Sequence, residues 1–206
     1  MDRTPRAFVL VAIGLFALAL LLAGVGLPEY SHRLHPLGLR GAAGLPGAML
    51  FNAGAFLLPG ICLLLASHAL RNALADAGWA ARIGVALAQL SALAFAAQGA
   101  LQMDASDLDA DATRLHVLAW MLWWIAFVPA ALLLAFGARR GRSFAIASLA
   151  AGVLVPVLAV LAPVGGWVGL AQRLAFALWF GWWWLAARAL TCASTSGQGS
   201  SKTAGR

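Results

Sequence analysis

Charged residues are scarce in this 206-residue chain, where Asp, Glu, Lys and Arg together make up only 10%. Soluble domains average about 25% charged and about 45–50% apolar residues, whereas 63% of this chain is hydrophobic. So little polar surface cannot coat a water-soluble globule. The composition therefore excludes a soluble enzyme, a secreted module and a disordered regulator, and it predicts an integral membrane protein.

Cysteines and recognisable catalytic motifs are equally sparse. Cys62 and Cys192 are the only cysteines; they are expected on the inner half of the membrane as free thiols, because a disulfide needs an oxidising compartment. The chain has neither a Gly-x-Ser-x-Gly elbow nor a His-Glu-x-x-His zinc motif. The net charge is +7, but the basic residues are spread among loops, so no nucleic-acid partner is predicted.

Long apolar runs dominate what is present. Six of them reach the roughly 20 residues that a membrane-spanning helix needs, at residues 7–27, 48–66, 83–102, 117–138, 144–162 and 174–190. The first run is longer than a signal-peptide core and is expected to be a retained helix. We predict an all-α polytopic membrane protein: one six-helix transmembrane bundle over residues 1–190, then a Ser/Gly/Thr-rich, disordered cytoplasmic tail over residues 191–206.

The positions of lysine and arginine predict how these helices are oriented. If the N-terminus lies inside, ten basic residues fall on the inner side and four on the outer side: Arg33, Arg40, Arg114 and Arg173. Both termini are therefore expected to be cytoplasmic. Six tryptophans near the ends of the fourth and sixth runs are expected to anchor the bundle at the membrane interfaces: Trp120, Trp123, Trp124, Trp182, Trp183 and Trp184.

Polar side chains collect at the predicted outer ends of the helices. They come from the first loop, the start of the second helix, the end of the third helix, the loop after it, and the starts of the fourth and sixth helices. The set is Tyr30, His35, Asn52, Gln98, Gln102, Asp104, His116, Gln172 and Arg173. We expect these groups to converge in one pocket at the outer membrane surface.

Several of these features have a plainer interpretation. The acidic run from Asp104 to Asp111 fails as an EF-hand because Ala112 replaces the required Gly, and it is consistent with a solvated turn. His35, His116 and Asp104 could hold zinc, but neutral hydrogen-bonding histidines at helix ends are the alternative. Arg173 fits either a lipid headgroup or a snorkelling side chain.

The order of these residues resembles an uncharacterised bacterial six-helix membrane family, domain of unknown function 998. The resemblance covers helices one to six, and its most specific part runs from His35-Pro36 to Phe51-Asn52. That family is distantly similar to the Frag1-like group, whose eukaryotic members act in lipid-anchor remodelling and autophagy modulation. The resemblance implies a bacterial inner-membrane location and a shared outer cluster of His35, Asn52, Asp104, His116 and Arg173.

Two functions fit this expected cluster. The first is a lipid hydrolase or transferase in which His116 or His35 is the general base, Asp104 orients it, and Asn52 stabilises charge; Arg173, with Gln172, Tyr30, Gln98 and Gln102, would hold the lipid. The second is a non-enzymatic protein that binds or transports a lipid, quinone or small solute. Proline breaks at Pro59 and Pro156 would allow motion in that case. The sequence does not indicate an oligomeric state.

Overall fold

The computed structural model describes residues 4–107, 109–161 and 165–191, and within these ranges every regular element is helical. The main helices are α1 (Thr4–Leu22), α2 (Leu37–Arg40), α3 (Ala48–Ala73), α4 (Trp79–Ala100), α5 (Asp111–Gly137), α6 (Arg142–Leu161) and α7 (Val168–Thr191). The all-α prediction is confirmed. The predicted tail beyond Thr191, with Cys192, lies outside the described residues.

Five of these helices, α1, α3, α4, α5 and α6, are long and apolar enough to cross a membrane. The sixth expected span corresponds to α7, which has 24 residues. Its mean hydropathy is lower because it contains Gln172, two arginines and four tryptophans. Five such helices indicate a multi-pass membrane protein.

Helix ends differ from the apolar runs that predicted them. The fourth run was expected to begin at residue 117 and the sixth at residue 174, but α5 begins at Asp111 and α7 at Val168. Hydropathy detects only the apolar part of a helix, whereas backbone hydrogen bonding continues into polar residues. His116 therefore lies in the second turn of α5, and Gln172 and Arg173 lie in the second turn of α7.

The six long helices close into a ring. Each packs against the next in chain order, and α7 returns to pack against α1 and α3. The most extensive pair is α4 with α5, where glycines allow close approach. A Cβ atom on Gly137 would lie 2.7 Å from the backbone nitrogen of Ala81, and one on Gly84 would lie 2.8 Å from Leu134.

An aromatic cluster fills the centre of the ring. Phe95 of α4 lies 4.7 Å from Trp179 of α7 between ring centroids, and Trp123 of α5 lies 4.7 Å from Phe176. The expected interface anchors Trp123, Trp182 and Trp183 are 2% exposed or less. The anchor interpretation is wrong for these three, because the ring interior takes their large apolar surfaces; Trp120, Trp124 and Trp184 are half-buried.

Both predicted proline breaks lie beside widened helical turns. Residues Ala53–Leu57 of α3 form a π-helical turn just before Pro59, and Val157–Leu161 of α6 form another just after Pro156. Proline lacks the N–H that continues an α-helix, and the backbone adjusts locally to satisfy the freed carbonyls. The second of these turns forms part of a cavity wall described below.

Candidate functional site

Three chain segments meet at one end of the bundle, which we call the cap end: residues 23–47, residues 101–107 and the N-terminal turns of α7. Backbone hydrogen bonds join them, from the N–H of Ala43 to the carbonyl of Met103 (2.8 Å) and from the N–H of Leu170 to the carbonyl of Arg33 (3.1 Å). The side-chain oxygen of Gln172 accepts a 2.7 Å hydrogen bond from the N–H of Leu37. Residues distant in sequence are thus brought together here.

Arg173 is the main connector of the cap end. Its side chain is 7% exposed, and its Nη1 donates to the carbonyls of His35 (3.0 Å) and Gly169 (2.7 Å). Its Nη2 donates to the hydroxyl of Tyr30. The guanidinium therefore holds the turn of residues 30–35 against α7, and these bonds occupy most of the donors that a lipid headgroup would use.

Tyr30 and His32 lie beside that guanidinium, outside the membrane-spanning helices. Burial raises the pKa of Tyr30 above its usual range, although the charge of Arg173 acts in the opposite direction. Tyr30 therefore remains a neutral phenol that can accept the bond from Arg173. Burial lowers the pKa of His32, and the positive charge of Arg173 adds to this effect.

His35 shapes the turn in which it lies. Its Nδ1 accepts a 3.0 Å hydrogen bond from the N–H of Ser31, and its ring packs 5.7 Å from that of Tyr30. Because Nδ1 is an acceptor here, the neutral ring carries its proton on Nε2. The ring therefore supports local structure, and its carbonyl is held by Arg173.

Asn52 joins α3 to the preceding loop. Its side chain is 2% exposed, and its Nδ2 donates a 2.8 Å hydrogen bond to the carbonyl of Gly41. A Cβ atom on Gly41 would lie 1.9 Å from the Asn52 side-chain oxygen. Only glycine fits at position 41, and the Asn52 amide is a structural link between loop and helix.

Asp104 lies in a turn whose hydrogen bonds do not include His116. Its Oδ1 accepts hydrogen bonds from the backbone N–H (2.9 Å) and the hydroxyl (2.6 Å) of Ser106. These bonds lower the pKa of the Asp104 carboxyl. The hydroxyl of Thr113 closes the same turn from α5, donating to the carbonyls of Asp104 and Asp107.

The rest of the acidic run is exposed to solvent. Asp109 and Asp111 lie 3.6 Å and 3.9 Å from Arg114, with side chains more than 90% exposed. Ion pairs of this kind contribute little to stability. This arrangement agrees with the solvated-turn interpretation.

His116 faces a cavity. Its Nδ1 lies 2.7 Å from the carbonyl of Leu101; since a carbonyl can only accept, Nδ1 carries the proton and the neutral ring presents an Nε2 lone pair. A Cβ atom on Gly38 would lie 2.8 Å from Nε2. The cavity has a volume of about 200 Å³ and is lined by Pro36, Gly38, Met103, His116, Val117, Trp120, Leu158, Ala159, Val168 and Gln172.

The two remaining predicted residues lie near the end of α4. Gln98 is 1% exposed, and its side-chain nitrogen has no hydrogen-bond partner among the described residues. Gln102 is half-buried in the segment after α4. Neither lines the cavity at His116.

The structure thus gathers only part of the predicted set. Tyr30, His35, Gln172 and Arg173 meet at the cap end, and Gln172 also lines the cavity of His116. Asn52 and Asp104 bind other partners. Within the described ranges no group of three or more His, Cys, Asp or Glu side chains could hold a metal ion, so His35, His116 and Asp104 do not come together around one zinc position.

Sequence reasoning missed Arg40, Gly38 and Thr113. Arg40 is 7% exposed and Thr113 is 3% exposed, although polar residues of these types are usually solvated. Gly38 was noted only as one residue of the segment from His35-Pro36 to Phe51-Asn52 that resembles the family. A buried arginine between two helices has no local sequence signature, because its burial depends on how the loop folds back.

Comparison with known proteins identifies the family. No curated protein and no solved structure is significantly similar to the chain. The family model described as Protein of unknown function (DUF998) matches residues 10–191. That match includes all six long helices in whole or in large part, together with the cap end. The chain belongs to the DUF998 family.

Proposed function

We propose that the protein crosses the bacterial inner membrane six times, with both termini in the cytoplasm. At 1.5 Å per residue, the 24 residues of α7 extend about 36 Å, enough for the roughly 30 Å hydrocarbon core. Ten basic residues on the inner side against four on the outer side support this orientation. The cap end would then face the periplasm.

Reporter fusions test this topology. A reporter that works only in the cytoplasm should be active when it is fused after Gly141. A reporter that works only in the periplasm should be active when it is fused after Ser106. The reverse pattern, or both reporters on the same side, would overturn the orientation.

We further propose that the cap-end cavity binds a lipid or another largely apolar molecule through a hydroxyl group. One observation carries this: His116, whose Nδ1 is bonded to a backbone carbonyl and whose Nε2 is not, lines a cavity with mainly apolar walls that include Trp120, Leu158 and Val168. A hydroxyl can donate to that lone pair while the attached apolar body fills the cavity. Because about 200 Å³ is smaller than typical ligand pockets, the cavity fits a headgroup whose tail extends towards the membrane.

The geometry supports a binding protein better than a lipid hydrolase or transferase. Among the described residues, His116 has no hydrogen bond to a carboxylate or to a serine, threonine or cysteine side chain, and the Asp104 carboxylate is bonded to Ser106. A histidine base acting on a nucleophile is normally oriented by such a partner. Asn52 and Arg173 are likewise occupied by backbone carbonyls.

Two variants of His116 test whether its side chain binds the ligand. Solvent extraction of purified protein, followed by mass spectrometry, should recover a hydroxyl-bearing ligand from the wild type and much less from His116→Ala. His116→Gln retains a side-chain hydrogen-bond acceptor and should recover part of the binding. Equal recovery from wild type and His116→Ala would contradict the proposal.

Lipid analysis of whole membranes tests the alternative that the protein is a lipid hydrolase or transferase. A binding protein should leave the lipid composition of a His116→Ala strain equal to that of the wild type. A lipid that accumulates in both the deletion strain and the His116→Ala strain would instead show that the site performs lipid chemistry.

A further inference from the structure

A second hollow lies on the outside of the ring, between α1 and α3. It has a volume of about 380 Å³, and most of its wall is apolar, with Leu15, Leu18, Leu22, Leu50 and Phe51 among the lining residues. Leu18, Leu22 and Leu50 are more than half exposed. On helices apolar enough to cross a membrane, side chains of this kind face lipid acyl chains. We call this hollow the α1–α3 groove.

Arg40 closes the cap end of the α1–α3 groove. Its side chain is 7% exposed; its Nε donates to the carbonyl of Ala23 (2.7 Å) and its Nη1 to the carbonyl of Pro46 (3.2 Å). Its guanidinium lies 5.2 Å from the centre of the Phe51 ring. Ala23 follows α1 directly and Pro46 precedes α3 by two residues, so the charge lies where the apolar part of both helices ends.

Among the described residues, the positive charge of Arg40 has no acidic partner. In the part of the chain that the structure describes, the ion pairs involve Arg114 rather than Arg40. Carbonyl oxygens satisfy two of its nitrogens, but neutral dipoles do not balance a buried charge as an anion does. A buried cation without a counter-ion is unfavourable, which favours an anionic ligand at this position.

One nitrogen of Arg40 is left entirely free for such a ligand. Nη2 forms no hydrogen bond with the described residues and lies 3.7 Å from where a Cβ on Gly47 would be. Gly47 also lines the α1–α3 groove, and its φ of 70° is one that glycine adopts without strain. The missing side chain therefore leaves the approach to Nη2 open.

We propose that the α1–α3 groove binds one anionic phospholipid, with its phosphate on Nη2 of Arg40 and an acyl chain along the groove. Guanidinium and phosphate form strong charge-assisted hydrogen bonds. From Leu22 to Leu15 the groove runs about 10 Å along α1, at 1.5 Å per residue, and this length accommodates the upper part of an acyl chain. This site goes beyond the proposed function, since it shares no lining residue with the cavity of His116.

Native mass spectrometry of the full chain tests this lipid site. Protein in detergent is mixed with equal amounts of phosphatidylglycerol and phosphatidylcholine that carry the same acyl chains. The wild type should retain one phosphatidylglycerol molecule in preference to phosphatidylcholine. Arg40→Gln removes the charge and should weaken retention about tenfold, the effect of losing one charge-assisted hydrogen bond.

Two further variants separate lipid binding from folding. Gly54→Leu fills the groove while Arg40 stays intact; a Cβ there would lie 3.8 Å from Ala19, an ordinary contact. Gly54→Leu should retain less phosphatidylglycerol than the wild type. This result tests the site even if Arg40→Gln does not fold. Arg114→Gln makes the same charge change in an exposed ion pair at the cap end and should retain the lipid as the wild type does.

Several results would overturn the lipid site. Both lipids carry a phosphate, but only phosphatidylglycerol has a net negative charge; equal retention of the two by the wild type would show that Arg40 does not select a net negative charge. Undiminished phosphatidylglycerol on a folded Arg40→Gln or on Gly54→Leu would place the lipid elsewhere. A dimer that excludes lipid would show that a second copy of the chain covers the groove.

Discussion

Gly38 and His116 lie side by side in the wall of the cavity at the cap end, so closely that a Cβ atom on Gly38 would lie 2.8 Å from Nε2 of His116. The two residues are 78 positions apart in the chain. The hydrogen bond from Nδ1 to the carbonyl of Leu101 fixes the ring, so the absence of a side chain at position 38 keeps the Nε2 lone pair accessible. This pair is the basis of the proposed ligand site.

Removing Arg173 should loosen the cap end. Arg173→Ala leaves the carbonyls of His35 and Gly169 without their donor, and we expect the free energy of unfolding to fall by about 2–4 kcal/mol. Thermal unfolding in detergent, followed by tryptophan fluorescence, measures this. Arg33→Gln changes an exposed arginine in the loop that Arg173 holds and should change the stability little. Equal losses of stability in the two variants would contradict the stabilising role of the Arg173 hydrogen bonds.

Gly41 should tolerate no side chain. Gly41→Ala would place a carbon 1.9 Å from the Asn52 side-chain oxygen, so the Asn52–Gly41 hydrogen bond must break or the loop must move. We expect a loss of about 3 kcal/mol or more in the same unfolding measurement. Gly14→Ala is the matched control, because nothing lies within 4 Å of a Cβ there, and unchanged stability of both variants would contradict the described loop.

Replacing Asp104 tests whether its carboxylate orients His116, as the catalytic hypothesis requires. Because its carboxylate is bonded to Ser106 rather than to His116, Asp104→Asn should leave ligand recovery within about twofold of the wild type, since isosteric changes away from a site have small effects. Ligand extraction and mass spectrometry measure this. A loss as large as that of His116→Ala would show that Asp104 orients the histidine after all.

The pH dependence of that turn follows from the same hydrogen bonds. They lower the folded-state pKa of Asp104, so their contribution is fully present above the usual carboxyl pKa of about 3.9. It is lost only as the pH falls through the lowered value. Hydrogen exchange of the Ser106 amide should show protection that is constant from about pH 7 to pH 5; a loss of protection within that range would contradict the assignment.

Hydropathy predicted the positions of the long helices because each apolar run must be helical in a membrane. It failed at the starts of α5 and α7, where polar residues such as Thr113 and Gln172 continue the helix. The prediction that Trp123 and Trp183 anchor the bundle at the membrane interfaces also failed. The preference of indoles for interfaces is a statistical tendency, and packing inside the ring of helices overrides it. The proximity of Tyr30, His35 and Arg173 could be predicted, because the positions of the helices assign all three residues to the same side of the membrane.

Side-chain partners could not be predicted in the same way. Asn52 and Asp104 were expected beside the histidines, but their partners are Gly41 and Ser106. These bonds depend on loop conformation, which apolar periodicity does not encode. The burial of Arg40 has the same origin, since the loop that contains it folds back between α1 and α3.

The most direct test of the ligand site is the amount of ligand recovered from Gly38→Ala. The added carbon changes no polar group but crowds both Nε2 and the sulfur of Met103, each 2.8 Å away, so recovery per chain should fall about tenfold, the loss of one buried hydrogen bond and its contacts. Gly24→Ala, where a Cβ would find only ordinary contacts at 3.7 Å and beyond, should recover as much ligand as the wild type. Equal recovery from Gly38→Ala and the wild type would contradict the proposal that a hydroxyl of the ligand donates to Nε2 of His116.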